Sequence, residues 1–233
     1  MTNRFQKTDS LAFLKRLKNK TVNLVLTDPP YIISKKTGFG SVVNGVERFA
    51  VNTDFGEWDK DPNFNLSDLE KSINEYYRVL VSGGTAIVFC DLWKISHIKR
   101  IMEDAKFKQL RMIEWVKTNP VPLNSKRNYL TNAREVAILG VKVGKPTFNS
   151  SYDKGIYQYP ICQDRGRFHP TQKPLALMEE LIYKHSNQGD LVLDTFAGSG
   201  TTLVAAYQTG RLYAGCELDD EYYKKAKKRL DNL

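Results

Sequence analysis

Short apolar runs alternate with stretches of helical periodicity along most of this chain. Leu11, Leu14 and Leu17 recur at helical spacing, whereas residues 22–26 form the kind of apolar run that is typical of a buried strand. The same pattern predicts further strands at residues 85–90, 111–117, 135–141, 190–194 and 212–217, and further helices at 66–80, 97–105, 174–185, 201–208 and 221–230. We interpret residues 82–84 (SGG) as the break that ends the second helix. Alternating strands and helices favour an α/β fold with a mostly parallel sheet.

Three long segments do not fit this alternation: residues 32–65, 119–132 and 145–168. All three are rich in Gly, Pro, Asn, Lys and Arg. Loops of such length in a compact domain are usually functional or disordered. With 233 residues the chain suits one large α/β domain. We therefore predict a single catalytic domain over residues 1–233 that carries these three segments as loops.

The charge balance favours a polyanionic partner. Lys and Arg number 35 against 26 Asp and Glu, which gives a net charge of +9. Each phosphate that a basic residue neutralises releases counterions, so nucleic acid is the natural candidate. A basic cytosolic protein without such a partner remains the alternative on charge alone.

Cysteine and histidine positions give no sign of a disulfide framework or a metal site. The cysteines form no CxxC pair, and the histidines lack the spacing of metal ligands. The N-terminal segment has no signal-peptide pattern, and no run approaches the roughly 18 apolar residues of a membrane span. We therefore expect a cytoplasmic protein without a metal. The residues concerned are Cys90, Cys162, Cys216, His97, His169 and His185.

A glycine-rich turn links the predicted strand ending at Asp194 to the helix after it. Its sequence, residues 194–202, is DTFAGSGTT. The glycines let the backbone approach a ligand, and the helix start favours negative charge. Leu203 stands where a dinucleotide fingerprint has its third glycine, and the GK[ST] ending of a phosphate loop is absent. Glu217 ends the next predicted strand, 217 − 200 = 17 residues after Gly200, and is placed to accept from ribose hydroxyls. These residues predict an adenosine-type cofactor but do not choose between NAD and S-adenosylmethionine.

The tetrapeptide Asp28-Pro29-Pro30-Tyr31 follows directly on a predicted strand. Two prolines fix the backbone and remove N–H donors, so a carbonyl is left to point into a cleft. A carboxylate and a carbonyl that accept from an exocyclic amino group favour the geometry in which its nitrogen attacks a methyl donor. Tyr31 is placed to stack on the base, which must flip out of a duplex to be reached. A rigid turn with a surface tyrosine is the structural alternative.

Taken together, these motifs resemble the beta-class DNA amino-methyltransferases, and most of all the small MboII-type adenine-N6 members. DPPY precedes the FAGSG loop by 194 − 28 = 166 residues, which is the permuted order of that class. Residues 54–59 (DFGEWD), 115–120 (WVKTNP) and 169–174 (HPTQKP) match as well, so the resemblance covers nearly the whole chain. It implies a Rossmann-like class I S-adenosylmethionine-dependent fold with a mostly parallel, seven-stranded sheet.

The same resemblance implies roles for individual residues. Glu217 takes the ribose, Asp9 takes the adenine amino group, and Asp28 adjoins both the cofactor and the base. Read without the family, Asp9 is a plain helix cap and Lys173 is solvent-exposed. The residues expected around the methionine part are Asp194, Phe196, Ala197, Gly198, Ser199, Gly200 and Thr201, with Thr171, Gln172 and Lys173 near its carboxylate.

Basic residues beside aromatics in the long segments are our candidates for DNA contact. They are Lys35 and Lys36; Lys126, Arg127 and Tyr129; and Arg165 and Arg167, with His169 close by. Segment 145–168, where the family usually has its target-recognition region, is short. Reading of the DNA sequence is therefore expected to be shared either with the loop after Tyr31 or with a second subunit. Many members of the family are dimers, so the resemblance implies a homodimer, with a cognate restriction endonuclease as a further candidate partner.

The resulting prediction is site-specific transfer of a methyl group from S-adenosylmethionine to adenine N6 in DNA. Cytosine-N4 enzymes tend to carry Ser where Asp28 stands, and protein-glutamine enzymes favour Asn there. Cytosine N4 and RNA adenine remain alternatives, because the chemistry of the pocket overlaps. A degenerate binding protein is a further alternative, against which the intact Asp28, Gly198 and Glu217 argue.

Overall fold

A computed structural model describes residues 2–30, 39–43, 46–51, 66–120, 130–162, 167–169 and 171–233. The strands are β1 (Arg4–Lys7), β2 (Val22–Thr27), β3 (Phe39–Val43), β4 (Val46–Val51), β5 (Leu80–Cys90), β6 (Lys108–Lys117), β7 (Arg134–Val141), β8 (Ile156–Tyr159), β9 (Leu191–Asp194) and β10 (Leu212–Glu217). The helices are α1 (Ser10–Lys15), α2 (Leu66–Val79), α3 (Ile95–Asp104), α4 (Leu175–His185), α5 (Thr201–Gln208) and α6 (Asp220–Asp231). A 3-10 turn at Leu92–Lys94 leads into α3.

Within these ranges the main sheet has eight strands in the order β1-β10-β9-β2-β5-β7-β6-β8. The first five strands in this order, which are β1, β10, β9, β2 and β5, run parallel to one another. Strand β7 is antiparallel to both of its neighbours, β5 and β6, and β6 pairs in parallel with β8. The predicted mostly parallel α/β sheet is confirmed, but the predicted count of seven is wrong. The hydrophobic pattern predicted six of these strands individually. The other two, β1 and β8, lie at the two edges of the sheet, and β8 falls inside the segment 145–168, which the sequence predicts as a loop.

Helices cover both faces of this sheet. Because side chains alternate along a strand, Val25 and Val88 face α1, α2 and α3, whereas Leu26 and Phe89 face α4 and α5. Central strands that are buried on both faces read as continuous apolar runs, which explains why the hydrophobic pattern located β2 and β5.

The permuted motifs meet at the centre of the sheet. Strands β2 and β9 are direct neighbours, with Leu24 paired to Val192 and Val25 to Leu193. The helix that precedes β5 lies on one face, whereas the helix after β9 lies on the other, so the chain changes direction between these two strands. In open α/β sheets, ligands bind at the carboxyl ends of the strands at such a point. Asp28 and Asp194 reach it together although they are far apart in sequence.

Other differences from the prediction occur in short or glycine-containing stretches. Residues 82–84 do not separate helix from strand, because β5 already begins at Leu80. Gly83 accommodates a kink within the strand through a positive φ of 77°, while its N–H donates to the carbonyls of Lys142 and Val143. The β3–β4 hairpin lies inside segment 32–65. Strand β1 was not predicted, because its two end residues are exposed, its two middle residues are only half-buried, and it has no apolar run.

No helix in the part of the chain that the structure describes has the length and apolar character needed to cross a membrane.

Candidate active site

A cavity of about 340 Å³ opens at the carboxyl ends of β2, β9 and β10. Such a volume is within the range of small-molecule and cofactor sites. Every residue predicted for the cofactor lines it except Gly200, and Pro30 of the DPPY tetrapeptide lines it as well. Its walls comprise Asp9, Asp28, Pro30, Thr171, Gln172, Lys173, Asp194, Phe196, Ala197, Gly198, Ser199, Thr201 and Glu217, together with Thr8, Ser10, Leu11, Asp68, His169, Met178, Thr195, Thr202, Leu218 and Tyr222.

The glycine loop forms the floor of this cavity. Gly198 has φ +51°, and a Cβ placed there would lie 3.2 Å from Nε2 of His169. Gly200 has φ +74° at the start of α5, where a Cβ would approach the methyl of Ala226 to 3.2 Å. Gly198 therefore keeps the cavity floor close to bare backbone. Gly200 serves the packing of the loop against α6 rather than the cavity itself.

Glu217 closes the loop from the neighbouring strand. One of its carboxylate oxygens accepts from the Gly198 N–H at 2.7 Å, and the other accepts from the Asp219 N–H at 2.8 Å. Burial raises the pKa of Glu217, while these backbone hydrogen bonds oppose the rise. Each carboxylate oxygen has a second lone pair, so the group remains able to accept from a vicinal diol. Its chemistry fits the ribose of an adenosine cofactor.

Asp194 shapes the loop from beneath. Its Oδ1 accepts from the Thr27 hydroxyl at 2.8 Å and from the Phe196 N–H at 3.1 Å. Burial raises the pKa of Asp194 to about 6. Beside it, the hydroxyl groups of Tyr76 and Thr195 lie 2.6 Å apart, which links α2 to the same loop. These contacts determine the path of the backbone along the floor of the cavity.

Asp9 satisfies two interpretations at once. Its Oδ1 accepts from the Ala12 N–H at 2.9 Å, which is the helix cap expected from sequence. Asp9 also lines the cavity, as the family resemblance implies. Its contact with the adenine amino group remains a prediction.

His169 lies on the cofactor side, although its sequence position had placed it beside the basic candidates for DNA contact. Its ring packs against Tyr222 of α6, with centroids 4.3 Å apart, and its Nδ1 is 3.3 Å from the Thr171 nitrogen. Burial lowers the pKa of His169 to about 4, so the ring is neutral at pH 7. Tyr222 and Asp68 also line the cavity and were missed, because nothing in their local sequence marks them.

Asp28 follows directly on β2 and forms an ion pair with Lys173. Lys173 is only 5 % exposed, so its interpretation as a solvent-exposed lysine is wrong. Its ammonium also lies 3.0 Å from a carboxylate oxygen of Glu135 and 5.0 Å from the centroid of the Phe89 ring. The predicted partner of Lys173 was the methionine carboxylate, whereas the structure gives it two carboxylates of the protein itself. Glu135 was missed, since it reads as an ordinary polar residue at the start of a strand.

Most candidates for DNA contact lie outside the described residues, as does Tyr31. These are Lys35, Lys36, Lys126, Arg127, Tyr129 and Arg165. Arg167 is exposed, and its guanidinium donates to the carbonyls of His169 at 3.2 Å and Cys162 at 3.4 Å. Its contact with DNA remains a prediction.

Two large apolar side chains at the same edge of the sheet are almost fully exposed. Trp93 follows β5 and is 90 % exposed, and Leu130 precedes β7 and is 88 % exposed. Because Cys90 pairs with Val136, both residues belong to the end of the sheet that carries Asp28. The sequence alone had not singled out either of them.

Comparison with known proteins agrees with this geometry. A family model described as DNA methylase matches residues 22–228. The Type II methyltransferase M2.DpnII of Streptococcus pneumoniae is 32 % identical over 96 % of this chain and 88 % of its own length. M.HinfI of Haemophilus influenzae is also 32 % identical, over 99 % of this chain and 69 % of its own length.

Solved structures give the same picture. The crystal structure of an M1.HpyAVI–SAM complex aligns with a TM-score of 0.71 at 31 % identity, covering 97 % of this chain and 98 % of that one. The cytosine-N4-specific PvuII DNA methyltransferase aligns with a TM-score of 0.75 at 18 % identity, covering 98 % of this chain and 86 % of that one, and so shares the fold. The predicted family, enzyme class and cofactor are confirmed. This chain belongs to the DNA methylase family and is a methyltransferase that uses S-adenosylmethionine.

Proposed function

We propose that this protein transfers a methyl group from S-adenosylmethionine to the exocyclic N6 amino group of adenine in DNA. One observation carries the proposal: Asp28, at the end of β2, lines the same cavity as the glycine loop and Glu217. A carboxylate that accepts hydrogen bonds therefore lies within one ligand's length of a cofactor site. Such juxtaposition suits a reaction in which positioning supplies much of the rate.

The residues of the cofactor side bind and orient. Glu217 is placed to accept hydrogen bonds from the ribose hydroxyls, and Asp9 is placed to accept one from the adenine amino group. The backbone of residues 194–198 is placed to surround the methionine part. When bound, S-adenosylmethionine supplies an electrophilic methyl group. Neutral His169 and the ring of Tyr222 pack against each other in the wall of the cavity, beside the glycine loop.

On the base side, Asp28 and the Pro-Pro turn act on the amino group of the target. The nitrogen lone pair is delocalised into the ring, so the free amino group is a weak nucleophile. Hydrogen bonds from its two N–H groups to the Asp28 carboxylate and to a turn carbonyl favour the pyramidal geometry that attack requires. Transfer would form the N–C bond as the S–C bond of the donor breaks, leaving S-adenosylhomocysteine. The methylated nitrogen then releases a proton, which Asp28 is placed to accept and pass to solvent.

Adenine is the preferred base because an aspartate begins the tetrapeptide. The likeness to the cytosine-N4-specific PvuII enzyme concerns the fold, at 18 % identity, and does not bear on the base. Tyr31 completes the proposal as the residue that stacks on the flipped base. The net charge of +9 supports attraction of the enzyme to the phosphate backbone.

The proposal includes the wider setting of the enzyme. We propose one catalytic domain over residues 1–233, a cytoplasmic location, a homodimer in solution, and a cognate restriction endonuclease whose site this enzyme protects. What supports the last two is the short segment 145–168 and the Type II designation of M2.DpnII and M.HinfI.

Isotope-labelled methyl transfer tests the substrate class. The enzyme is incubated with labelled S-adenosylmethionine and either duplex DNA or structured RNA, and the nucleosides are separated by mass spectrometry. We expect label in N6-methyldeoxyadenosine from DNA. N4-methyldeoxycytidine as the sole product would overturn the base, and label confined to RNA would overturn the DNA substrate.

A further inference from the structure

Four side chains from separate strands share one face of the sheet at its carboxyl edge. Asp28 continues the alternation of Leu24 and Leu26, which face α4. Phe89 of β5 faces the same helix and is paired with Ala137 of β7. Alternation then places Glu135, two residues before Ala137, on that face as well.

Strand β6 adds a fourth member to this face. Trp115 pairs directly with Glu135, and Lys117 lies two residues further along the same side of β6. The Lys117 ammonium is 2.9 Å from a carboxylate oxygen of Glu135. The ion pair between Lys117 and Glu135, diagonal across strands β6 and β7, therefore holds Glu135 on the side away from Lys173.

Lys173 spans the gap between this pair and Asp28. It enters from the segment before α4, and its ammonium contacts Oδ2 of Asp28 and, at 3.0 Å, Oε2 of Glu135. The result is an alternating chain of charges, Lys117–Glu135–Lys173–Asp28, that leads from β6 to the catalytic tetrapeptide. The side chains of Glu135 and Asp28 are each 20 % exposed, so solvent screens the chain only in part.

Electrostatics keep the two central members, Glu135 and Lys173, charged. Burial alone raises the pKa of Glu135, but Lys173 and Lys117 outweigh it, so the pKa of Glu135 lies below its usual value. Burial alone lowers the pKa of Lys173, but Asp28 and Glu135 outweigh it, so the pKa of Lys173 lies above its usual value. A buried ammonium with a single carboxylate partner is less well compensated than one with two. Glu135 therefore holds Lys173 in place independently of Asp28.

We propose that Glu135 and Lys173 are positioning residues for methyl transfer, with Glu135 holding the Lys173 ammonium and that ammonium fixing the rotation of the Asp28 carboxylate. The inference rests on the proposed function, because it assigns Asp28 to the amino group of the base. A contact at Oδ2 sets the direction of Oδ1, which decides how the carboxylate meets the target nitrogen. Lys173 thus serves the base side of the cavity, whereas the family resemblance had implied the methionine carboxylate.

Single-turnover kinetics test this assignment. Glu135→Gln keeps the shape of the side chain and removes its charge, whereas Lys173→Met removes the ammonium. Since a misplaced reacting group costs up to about a hundredfold in rate, we expect losses of about tenfold for Glu135→Gln and about a hundredfold for Lys173→Met. The dissociation constants for S-adenosylmethionine, measured by isothermal titration calorimetry, should stay within about twofold of the wild-type value. A residue that only positions a reacting group lowers the rate of transfer without weakening ground-state binding.

Lys184→Met is the matched control. Lys184, in α4, is likewise partly buried and ion-paired with two carboxylates, Asp153 and Glu180, but it lies outside the cavity. Its substitution should lower the melting temperature without lowering the transfer rate of the folded protein. A double-mutant cycle removes the remaining ambiguity: in an Asp28→Asn background, Lys173→Met should cost little more, because its effect passes through Asp28.

The outcomes separate the two claims. Wild-type transfer to adenine with undiminished rates in both variants overturns the positioning role alone. Weaker binding of S-adenosylmethionine with an unchanged transfer rate in Lys173→Met also overturns the positioning role. That result would indicate that Lys173 binds the methionine carboxylate instead. Additive losses in the double-mutant cycle overturn the route through Asp28. Absence of any methylated adenine from the wild type overturns the proposed function itself.

Discussion

The cofactor side of the cavity is built largely from one continuous stretch of chain, whereas the base side is assembled from segments that are far apart in sequence. The loop from Asp194 to Thr201 is held by backbone N–H groups and by one carboxylate from the next strand, Glu217. Asp28 is held by charges from the segment before α4 and, through it, from β7 and β6. The two sides should therefore fail in different ways when they are perturbed.

The largest expected effect falls on the base side alone. Asp28→Ala removes the proposed acceptor for the amino group, and loss of one such preorganised group costs about 10²–10³ in rate. The dissociation constant for S-adenosylmethionine should change by no more than about twofold, because the glycine loop is untouched. Rapid-quench transfer assays and calorimetry measure the two quantities. A variant that retains wild-type turnover would show that Asp28 is misassigned.

Glu217→Gln should act in the opposite sense, on the cofactor side alone. In the wild type, each of the two carboxylate oxygens of Glu217 accepts from one N–H group, that of Gly198 or that of Asp219. The amide of glutamine has only one acceptor oxygen for these two N–H groups. Hydrogen bonds to a charged group contribute about 1.5–3 kcal/mol, so cofactor affinity should fall about 30-fold. Transfer at saturating cofactor should change far less. Glu221→Gln, on exposed α6 surface, is the control and should leave affinity unchanged; equal losses in both variants would contradict the role of Glu217.

Gly198→Ala tests the floor of the cavity. An added methyl would lie 3.2 Å from Nε2 of His169 on a backbone with φ +51°. Strain of about 1–3 kcal/mol per such residue predicts a loss of cofactor affinity of about tenfold. Gly189→Ala is the matched control, because Gly189 has φ +80° but its added methyl would meet no atom within 4 Å. If both variants bind the cofactor equally well, the close approach at Gly198 has no role.

The smallest expected effect is a pH dependence of stability that comes from the cofactor side. Burial lowers the pKa of His169 to about 4, against an ordinary value of 6.5, so the unfolded chain binds the proton more readily. The stability that neutral His169 contributes is therefore present above pH 6.5 and is lost as the pH falls towards 4.

Urea unfolding of the wild type and of His169→Gln measures this contribution. Between pH 6.5 and 5.5 the wild type should lose about 1 kcal/mol more than the variant. His97→Gln, at an exposed histidine of α3, should follow the wild type. Parallel curves for the wild type and His169→Gln would show that the ring is not held neutral.

How much the sequence could predict follows the same division. Buried central strands have continuous apolar runs, so β2, β5, β9 and β10 were located from their pattern. The loop at Asp194–Gly200 is a local motif whose glycines are needed at positive φ, and Glu217 lies at a fixed distance beyond it. Because most of these residues are close together in the sequence, the cofactor side of the cavity could be predicted from local motifs.

The parts that escaped prediction depend on contacts between distant segments. Strands β1 and β8 have four residues each and lie at the edges of the sheet, where half-exposed side chains give no apolar run. Glu135 acquires its place only through the pairing of β7 with β5 and β6. Lys173 looks like a surface lysine until two carboxylates converge on it. Burial of a charge is decided by its partners, which a local pattern does not contain.

The most direct test of the account is a side-by-side measurement of binding and chemistry in the wild type and Asp28→Ala. Both proteins are loaded with trideuteromethyl-labelled S-adenosylmethionine, the dissociation constants are measured, and duplex DNA is then digested for nucleoside mass spectrometry. The account predicts equal cofactor binding, with N6-(trideuteromethyl)deoxyadenosine formed by the wild type and at most a trace by the variant. No labelled deoxyadenosine from the wild type, or equal amounts from both proteins, would contradict it.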